Sequence, residues 1–375
     1  MEQVEEGKGL TALLHWNALM ITVSLSLALA AVHLLTKSLD YQSLFGMVVL
    51  IAIALALLVT SADFFIEGAK SLARRAGIAE VIIGLTIVSI GTSLPEILVT
   101  ATAAKNSIDD PSLMDLAIGN IYGSVLVQIT LILGIVVLFK PLQIRPNWLR
   151  RDGLLMLGAA VLLSILLLQG GGLSRLEGGF LVSLYIGYIV WLLRNKDRIR
   201  NDELELSEGI QPVEYGWTTL ASLIIVIIGL SMALYAASHL VINASKMAVM
   251  LNVPHAIVGT VISGIGTSLP ELTVALMAAK KSQGVAIGTL IGSNITDPLL
   301  SIGIAAMINP LTISASSYNL TAYLIIPATL LGISFCLAMM WTGFEFQRWE
   351  GGILVAFYLF FLVLLEMQRR GLLAL

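Results

Sequence analysis

The segment Ile90–Glu96, IGTSLPE, recurs unchanged at Ile265–Glu271, and both copies lie inside long apolar runs. The likeness extends beyond seven residues. Gly84–Ser107 and Gly259–Ser282 agree at 14 of 24 positions with a constant offset of 175. Ala117–Ser124 (AIGNIYGS) matches Ala286–Ser293 (AIGTLIGS) at an offset of 169, and Glu67–Ala73 resembles Asn243–Val249. Such a chain contains one unit twice, each copy with a proline and a carboxylate in apolar surroundings.

Those surroundings define the solvent. The chain is 57% hydrophobic and 12% charged, where soluble domains carry about 25% charged residues. A membrane-spanning helix needs roughly 20 apolar residues. Runs of about that length lie near 13–35, 43–68, 80–104, 114–138, 152–169, 177–194, 218–243, 256–279, 286–308, 320–341 and 349–368. The expected fold is an all-α polytopic membrane protein, with two five-helix repeats (ten core helices) and one extra N-terminal helix. The divisions are 1–42 for that helix, 43–194 and 218–375 for the repeats, and 195–217 for a polar cytoplasmic linker.

The distribution of Lys and Arg orients the chain. With the N-terminus in the cytoplasm, 15 of the 21 basic residues fall on the cytoplasmic side. This predicts a plasma-membrane protein with its N-terminus in and its C-terminus out. Five spans per repeat make the second repeat enter from the opposite side. Lys105 and Lys280, equivalent in the repeat, accordingly fall on opposite sides. Inverted repeats of this kind are an architecture of secondary transporters, with the substrate site at the midplane between them.

Other classes fit poorly. A net charge of −3 gives no footing for nucleic acid, and a single cysteine, Cys336, excludes an internal disulfide. The acidic start MEQVEEGKG and the long run after it suit a retained helix rather than a signal peptide. His15, His33, His239 and His255 lack metal-ligand spacing, and His239 reads as interfacial. Asp63 and Glu67 precede Lys70, Arg74 and Arg75 and read as an ion pair or entry funnel.

The repeated motif carries the chemistry. Proline in a helix interior frees the carbonyl four residues earlier, here Gly91. In lipid, a freed carbonyl must be covered by protein or line a polar cavity. Beside it stand the Thr92 and Ser93 hydroxyls and the Glu96 carboxylate. Thr267, Ser268 and Glu271 repeat the set after Gly266. All are oxygen ligands, which suit hard cations such as Na⁺ or Ca²⁺. A carboxylate at mid-membrane depth costs about 2.5–3.5 kcal/mol on insertion scales, and two facing each other repel. A bound divalent cation relieves both. Asp297 adds a third carboxylate, opposite Gln128 in the first repeat. Ser124 and Ser293 stand one helical turn before them. A proline kink with a helix-capping Asp297 is the structural alternative.

Two GTSLPE motifs, each followed by a GN/T-x-x-GS helix, resemble the α-repeats of the calcium/cation antiporter superfamily, and most closely the prokaryotic sodium/calcium exchangers. The resemblance covers both repeats and leaves out the first helix. It implies a set of cation sites at the midplane, with Glu96 and Glu271 as central Ca²⁺ ligands. Thr92, Ser93, Thr267 and Ser268 would contribute oxygens. Carbonyls near Ser89 and Gly264 would line outer Na⁺ sites, and Ser124, Ser293 and Asp297 would complete the set. Alternating access would come from sliding of the first helix of each repeat. Val125 and Gln128 depart from the family's asparagines, which leaves the coupling ion and stoichiometry open.

The expectation is a Ca²⁺/Na⁺ antiporter working by alternating access. A H⁺-coupled divalent-cation exchanger is the alternative, since clustered carboxylates can carry protons. An intramembrane protease using Ser93 or Ser268 would need a general base in reach, and no His or Lys accompanies them. Ca²⁺ and Na⁺, or H⁺, are the expected partners, with lipid as solvent. No further cofactor, nucleic acid or obligate protein partner is expected.

Overall fold

The structure is a computed structural model that describes residues 16–38, 44–75, 89–144, 146, 149–195, 217–281 and 283–373. The extra helix α1 (Asn17–Ser38) precedes the first repeat. That repeat comprises α2 (Leu44–Arg75), α3 (Ser89–Thr92), α4 (Leu94–Asn106), α5 (Leu113–Val127), α6 (Leu133–Phe139), β1 (Leu142–Gln143), α7 (Leu154–Gln169), β2 (Gly172–Leu173) and α8 (Arg175–Arg194). The second comprises α9 (Thr219–Met250), α10 (His255–Val258), α11 (Gly264–Thr267), α12 (Leu269–Lys281), α13 (Gln283–Thr296), α14 (Ile302–Ile308), β3 (Leu311–Thr312), α15 (Ala315–Leu320), α16 (Ile326–Trp341), β4 (Glu345–Phe346) and α17 (Arg348–Arg369).

Among the described residues, nine helices are long and apolar enough to cross a membrane, and Leu19–Leu35 is a shorter apolar helix. Part of the expected span 80–104 and most of the linker lie outside the described residues. Large apolar side chains such as Phe45, Ile227, Leu331 and Phe360 are exposed, as expected where lipid is the solvent. α2 and α9 are longer than predicted, at 32 residues each. At 1.5 Å per residue that is about 48 Å, well beyond a hydrocarbon core of about 30 Å.

The inversion is visible in backbone contacts. A Cβ on Gly119 would meet Ala256 and Thr260, and one on Gly123 would meet Thr260; Gly264 in turn faces Gly123 and Ser124. The contacts advance in the same direction along both segments, so α5 runs parallel to the α10–α12 span. α4 and α5 are joined by a short turn and are antiparallel, as short connections require. α4 therefore runs opposite to α12, its counterpart.

The repeats are also interlocked. β1 pairs with β4, Leu142 opposite Phe346, and β2 pairs with β3, Leu173 opposite Leu311. Shifting the first pair by the repeat offsets reproduces the second. The helices follow suit. Gly134 of α6 packs against Gly351 of α17, and Gly303 of α14 against Gly178 of α8. Each repeat's fifth helix thus lies on the other repeat's third.

α8 begins with a capping box. Ser174 Oγ accepts from the Glu177 backbone N–H, and the Glu177 carboxylate accepts from the Ser174 N–H at 2.8 Å. Ser174→Ala is expected to destabilise the protein by about 1 kcal/mol, read as a lower melting temperature in detergent.

α2 and α9 pack antiparallel, with Gly68 against Ser222 and Val226 and Gly229 against Ser61 and Phe65. α1 joins them at two levels. Trp16 packs its ring at a tilt against Phe64 of α2 and against Trp217 before α9. His33 meets His239 of α9, which also contacts Tyr235. His239 is therefore buried between helices. Asp63 and Glu67 are exposed on α2.

Candidate cation site

Both GTSLPE segments break a helix at the same residue. Ser93 leaves helical geometry between α3 and α4, and Ser268 does so between α11 and α12. Pro95 therefore occupies the first turn of a new helix, where proline is tolerated, rather than a helix interior. Its missing N–H still leaves Gly91 without the usual donor. The break also puts Glu96 and Glu271 in the first turns of α4 and α12. There the positive end of the helix dipole favours negative charge.

The two breaks meet. Ser268 Oγ donates to Glu96 Oε1 at 3.0 Å, which joins a hydroxyl of one repeat to the carboxylate of the other. Ser293 Oγ donates to Glu271 Oε1 at 3.4 Å and lies 3.2 Å from Thr92 Oγ1. Its counterpart Ser124 lies 3.3 Å from Thr267 Oγ1. Asp297 takes a hydrogen bond from Gln128 Nε2 at 3.3 Å and from Ser301 Oγ at 3.2 Å. The same Gln128 nitrogen donates to Ser268 Oγ at 3.2 Å. Asp297 thus bonds Gln128 of the other repeat and Ser301 of its own π-helical turn.

Gln128 and Asp297 each open a π-helical turn, Gln128–Ile132 and Asp297–Ser301. Such turns are frequent at functional sites. The carbonyls are less open than expected. Ser89 O already accepts from Thr92 Oγ1 at 3.1 Å and from Ser93 N at 3.0 Å. Gly264 O accepts from Ser268 N at 3.3 Å.

Glu96, Glu271, Asp297, Thr92, Ser93, Thr267, Ser268, Ser124, Ser293 and Gln128 are all 0% exposed. Within this sealed cluster, Glu96 Oε2, Glu271 Oε2, Gln128 Oε1 and Ser93 Oγ have no hydrogen-bond partner, and neither does Asn294 Oδ1 on α13. Buried polar atoms are rarely left so, because each costs roughly 1–3 kcal/mol. All five can accept, and two belong to carboxylates. Such atoms are satisfied by cations rather than by more acceptors. An all-oxygen set of this size suits Na⁺ or Ca²⁺.

Several residues around the cluster lie outside the GTSLPE motif. Asn120 Oδ1 accepts from Ser263 at 2.6 Å and faces Thr267 at 3.5 Å, while its nitrogen donates to Thr100 at 3.0 Å. It is the N/T position of the GN/T-x-x-GS pattern, with Thr289 as its repeat counterpart. Thr296 lies 3.3 Å from Ser89 Oγ and 3.1 Å from the Tyr185 hydroxyl. For Tyr185 a signal exists. Arg175–Tyr185 (RLEGGFLVSLY) and Arg348–Tyr358 (RWEGGILVAFY) agree at seven of eleven positions, at an offset of 173.

Inverted helical repeats, with broken helices meeting at a sealed carboxylate cluster, are an architecture of membrane transporters. The chain belongs to the sodium/calcium exchanger protein family, which it matches over residues 46–194 and 221–366. It is similar to the sodium/calcium exchanger MaX1 of Methanosarcina acetivorans, 31% identical over 84% of this chain and 97% of the relative. It is also similar to the inner membrane protein YrbG of Escherichia coli, 35% identical over 72% and 82%. Among solved structures it resembles the sodium-calcium exchanger NCX_Mj, soaked with Na⁺ and Ca²⁺. That match has 27% identity and a TM-score of 0.56, over 83% of this chain and 95% of that one.

Proposed function

We propose that this protein exchanges Ca²⁺ for Na⁺ across the plasma membrane by alternating access, with the cations held between the two GTSLPE breaks. The observation that carries the reading is the set of buried oxygen acceptors without partners, contributed by both repeats. Glu96 and Glu271 are the central ligands. Thr92, Ser93, Thr267, Ser268, Ser124, Ser293, Gln128 and Asp297 supply the flanks, with the backbone at Ser89 and Gly264. Three carboxylates sealed in one cluster repel when charged and no cation is bound. Several Na⁺ or one Ca²⁺ relieve that repulsion, so the two loads compete. The difference in binding between states drives exchange. The division into 1–42, 43–194, 195–217 and 218–375 and the N-in, C-out orientation belong to the same reading. So does sliding of the paired helices α2 and α9 across the remaining helices.

The test is Ca²⁺ uptake by proteoliposomes loaded with Na⁺. Uptake should follow the Na⁺ gradient at fixed pH. A dependence on the proton gradient alone would instead support the H⁺-coupled exchanger. Asp297→Asn removes one of the three charges that Na⁺ must balance. It is expected to lower Na⁺-driven uptake by about tenfold, one lost charge-assisted contact, measured as initial rate at saturating Ca²⁺.

A further inference from the structure

The two flanks of the cluster are braced differently. α8 and α17 are equivalent helices, and each places a tyrosine against the other repeat's third helix. Tyr185 is 3% exposed and Tyr358 is 1% exposed. Tyr185 reaches Thr296, the residue before Asp297. Thr296 Oγ1 lies 2.9 Å from the Gly292 carbonyl, 3.1 Å from Tyr185 OH and 3.3 Å from Ser89 Oγ. A threonine hydroxyl has one proton and two lone pairs. That of Thr296 donates to the Tyr185 hydroxyl as well as to the carbonyl, sharing its one proton between them, and its lone pairs are open to Ser89 Oγ. This chain of hydroxyls links α8, α13 and α3, and it fixes the backbone beside Asp297 and at Ser89.

The opposite flank lacks two members of that chain. The repeat offsets place Val127 where Thr296 stands, and Gly264 where Ser89 stands. α17 packs on the π turn that Gln128 opens, as α8 packs on that of Asp297. The Tyr358 hydroxyl, however, has no hydrogen-bond partner.

We infer that Tyr185 is a positioning residue for the Ser89–Asp297 flank, and that the missing brace on the Gly264–Gln128 flank makes the two flanks hold Na⁺ with unequal strength, the braced one more tightly. The inference rests on the Na⁺-coupled reading and names which side of that site sets Na⁺ affinity. Tyr185 touches no cation ligand directly; it acts through Thr296 and Ser89.

The experiment compares Tyr185→Phe, Thr296→Val and Tyr358→Phe with wild type in Na⁺-driven Ca²⁺ uptake. Tyr185→Phe and Thr296→Val each break the hydroxyl chain. Each should raise the Na⁺ concentration for half-maximal uptake about three- to tenfold, the worth of one buried hydrogen bond. Maximal rate and Ca²⁺ half-saturation should stay unchanged. Tyr358→Phe removes a hydroxyl that bonds nothing and should leave all three parameters as in wild type. Val127→Thr gives Tyr358 the missing partner and should lower the Na⁺ requirement. Equal effects of the two tyrosine variants, or an unmoved Na⁺ requirement in both Tyr185→Phe and Thr296→Val, would overturn the inference and leave the exchange reading intact. Wild-type uptake that ignores Na⁺ would remove the reading itself, and the inference with it. Should Tyr185→Phe not fold, Thr296→Val reads the same brace with a side chain of the same shape.

Discussion

Glu96→Gln and Glu271→Gln should each reduce Ca²⁺ uptake at least about 100-fold while leaving the helical fold intact. Glutamine keeps the shape and an acceptor oxygen, so the sealed cluster can still close. It removes the charge. At 4 Å and an effective dielectric of about 20, two unit charges attract by about 4 kcal/mol, and about 1.4 kcal/mol is tenfold in affinity. Facing a divalent ion, either loss exceeds what hydroxyls can restore. Equilibrium ⁴⁵Ca²⁺ binding and uptake by proteoliposomes read the effect. Uptake near wild-type levels in both variants would remove the assigned site. The glutamine variants should also be thermally more stable than wild type without cations, because part of the carboxylate repulsion is gone.

The second large effect is structural. Gly123→Ala is expected to cost about 3 kcal/mol or more, the upper range for overpacking a tight interface, and to abolish transport. A Cβ at Gly123 would collide with the Thr260 carbonyl oxygen and come within 2.5 Å of the Thr260 Cα. The obstacle is backbone, so no rotamer change relieves it. This contact holds α5, which carries Ser124, against the π-helical turn Gly259–Ser263 that leads into α11 and Thr267. Gly158 is the control, since a Cβ there meets nothing within 4 Å. Gly158→Ala within α7 should be neutral or stabilising by up to about 1 kcal/mol. Size-exclusion profiles and melting temperatures in detergent distinguish the two, and a well-behaved Gly123→Ala protein would contradict the packing described above.

Much of this was readable from the chain because duplication doubles a weak signal. A lone GTSLPE in an apolar run is compatible with a kink. Two copies, with basic residues falling on opposite sides, imply inversion, and the parallel course of α5 and the α10–α12 span agrees. The helix boundaries were less readable. α2 and α9 continue beyond their apolar runs into residues 69–75 and 244–250, and on α2 Ser71 of that extension donates to the Trp217 carbonyl rather than facing lipid. The role of Pro95 also needed coordinates: sequence shows an absent donor, but not that a new helix starts at Leu94. Asn120 and Ser263 bond each other across the repeats. The residues at the equivalent sequence positions are Thr289 and Val88, and a valine side chain cannot make that bond, so comparing the two halves conceals it. Tyr185 was concealed differently, since its equivalence to Tyr358 sits in a helix that contributes no ligand.

The crossed strand pairs bear on how the protein is made. Leu142 lies opposite Phe346, so the end of the first repeat's third helix finds its partner about 200 residues later in the chain. Gly134 likewise waits for Gly351. Until the last helix leaves the ribosome, the first repeat holds an unpartnered backbone edge and an uncovered glycine face. Final assembly of the early half is therefore post-translational, and a chain stopped before residue 345 would be left with its third helix bare for the cell's membrane proteases to find.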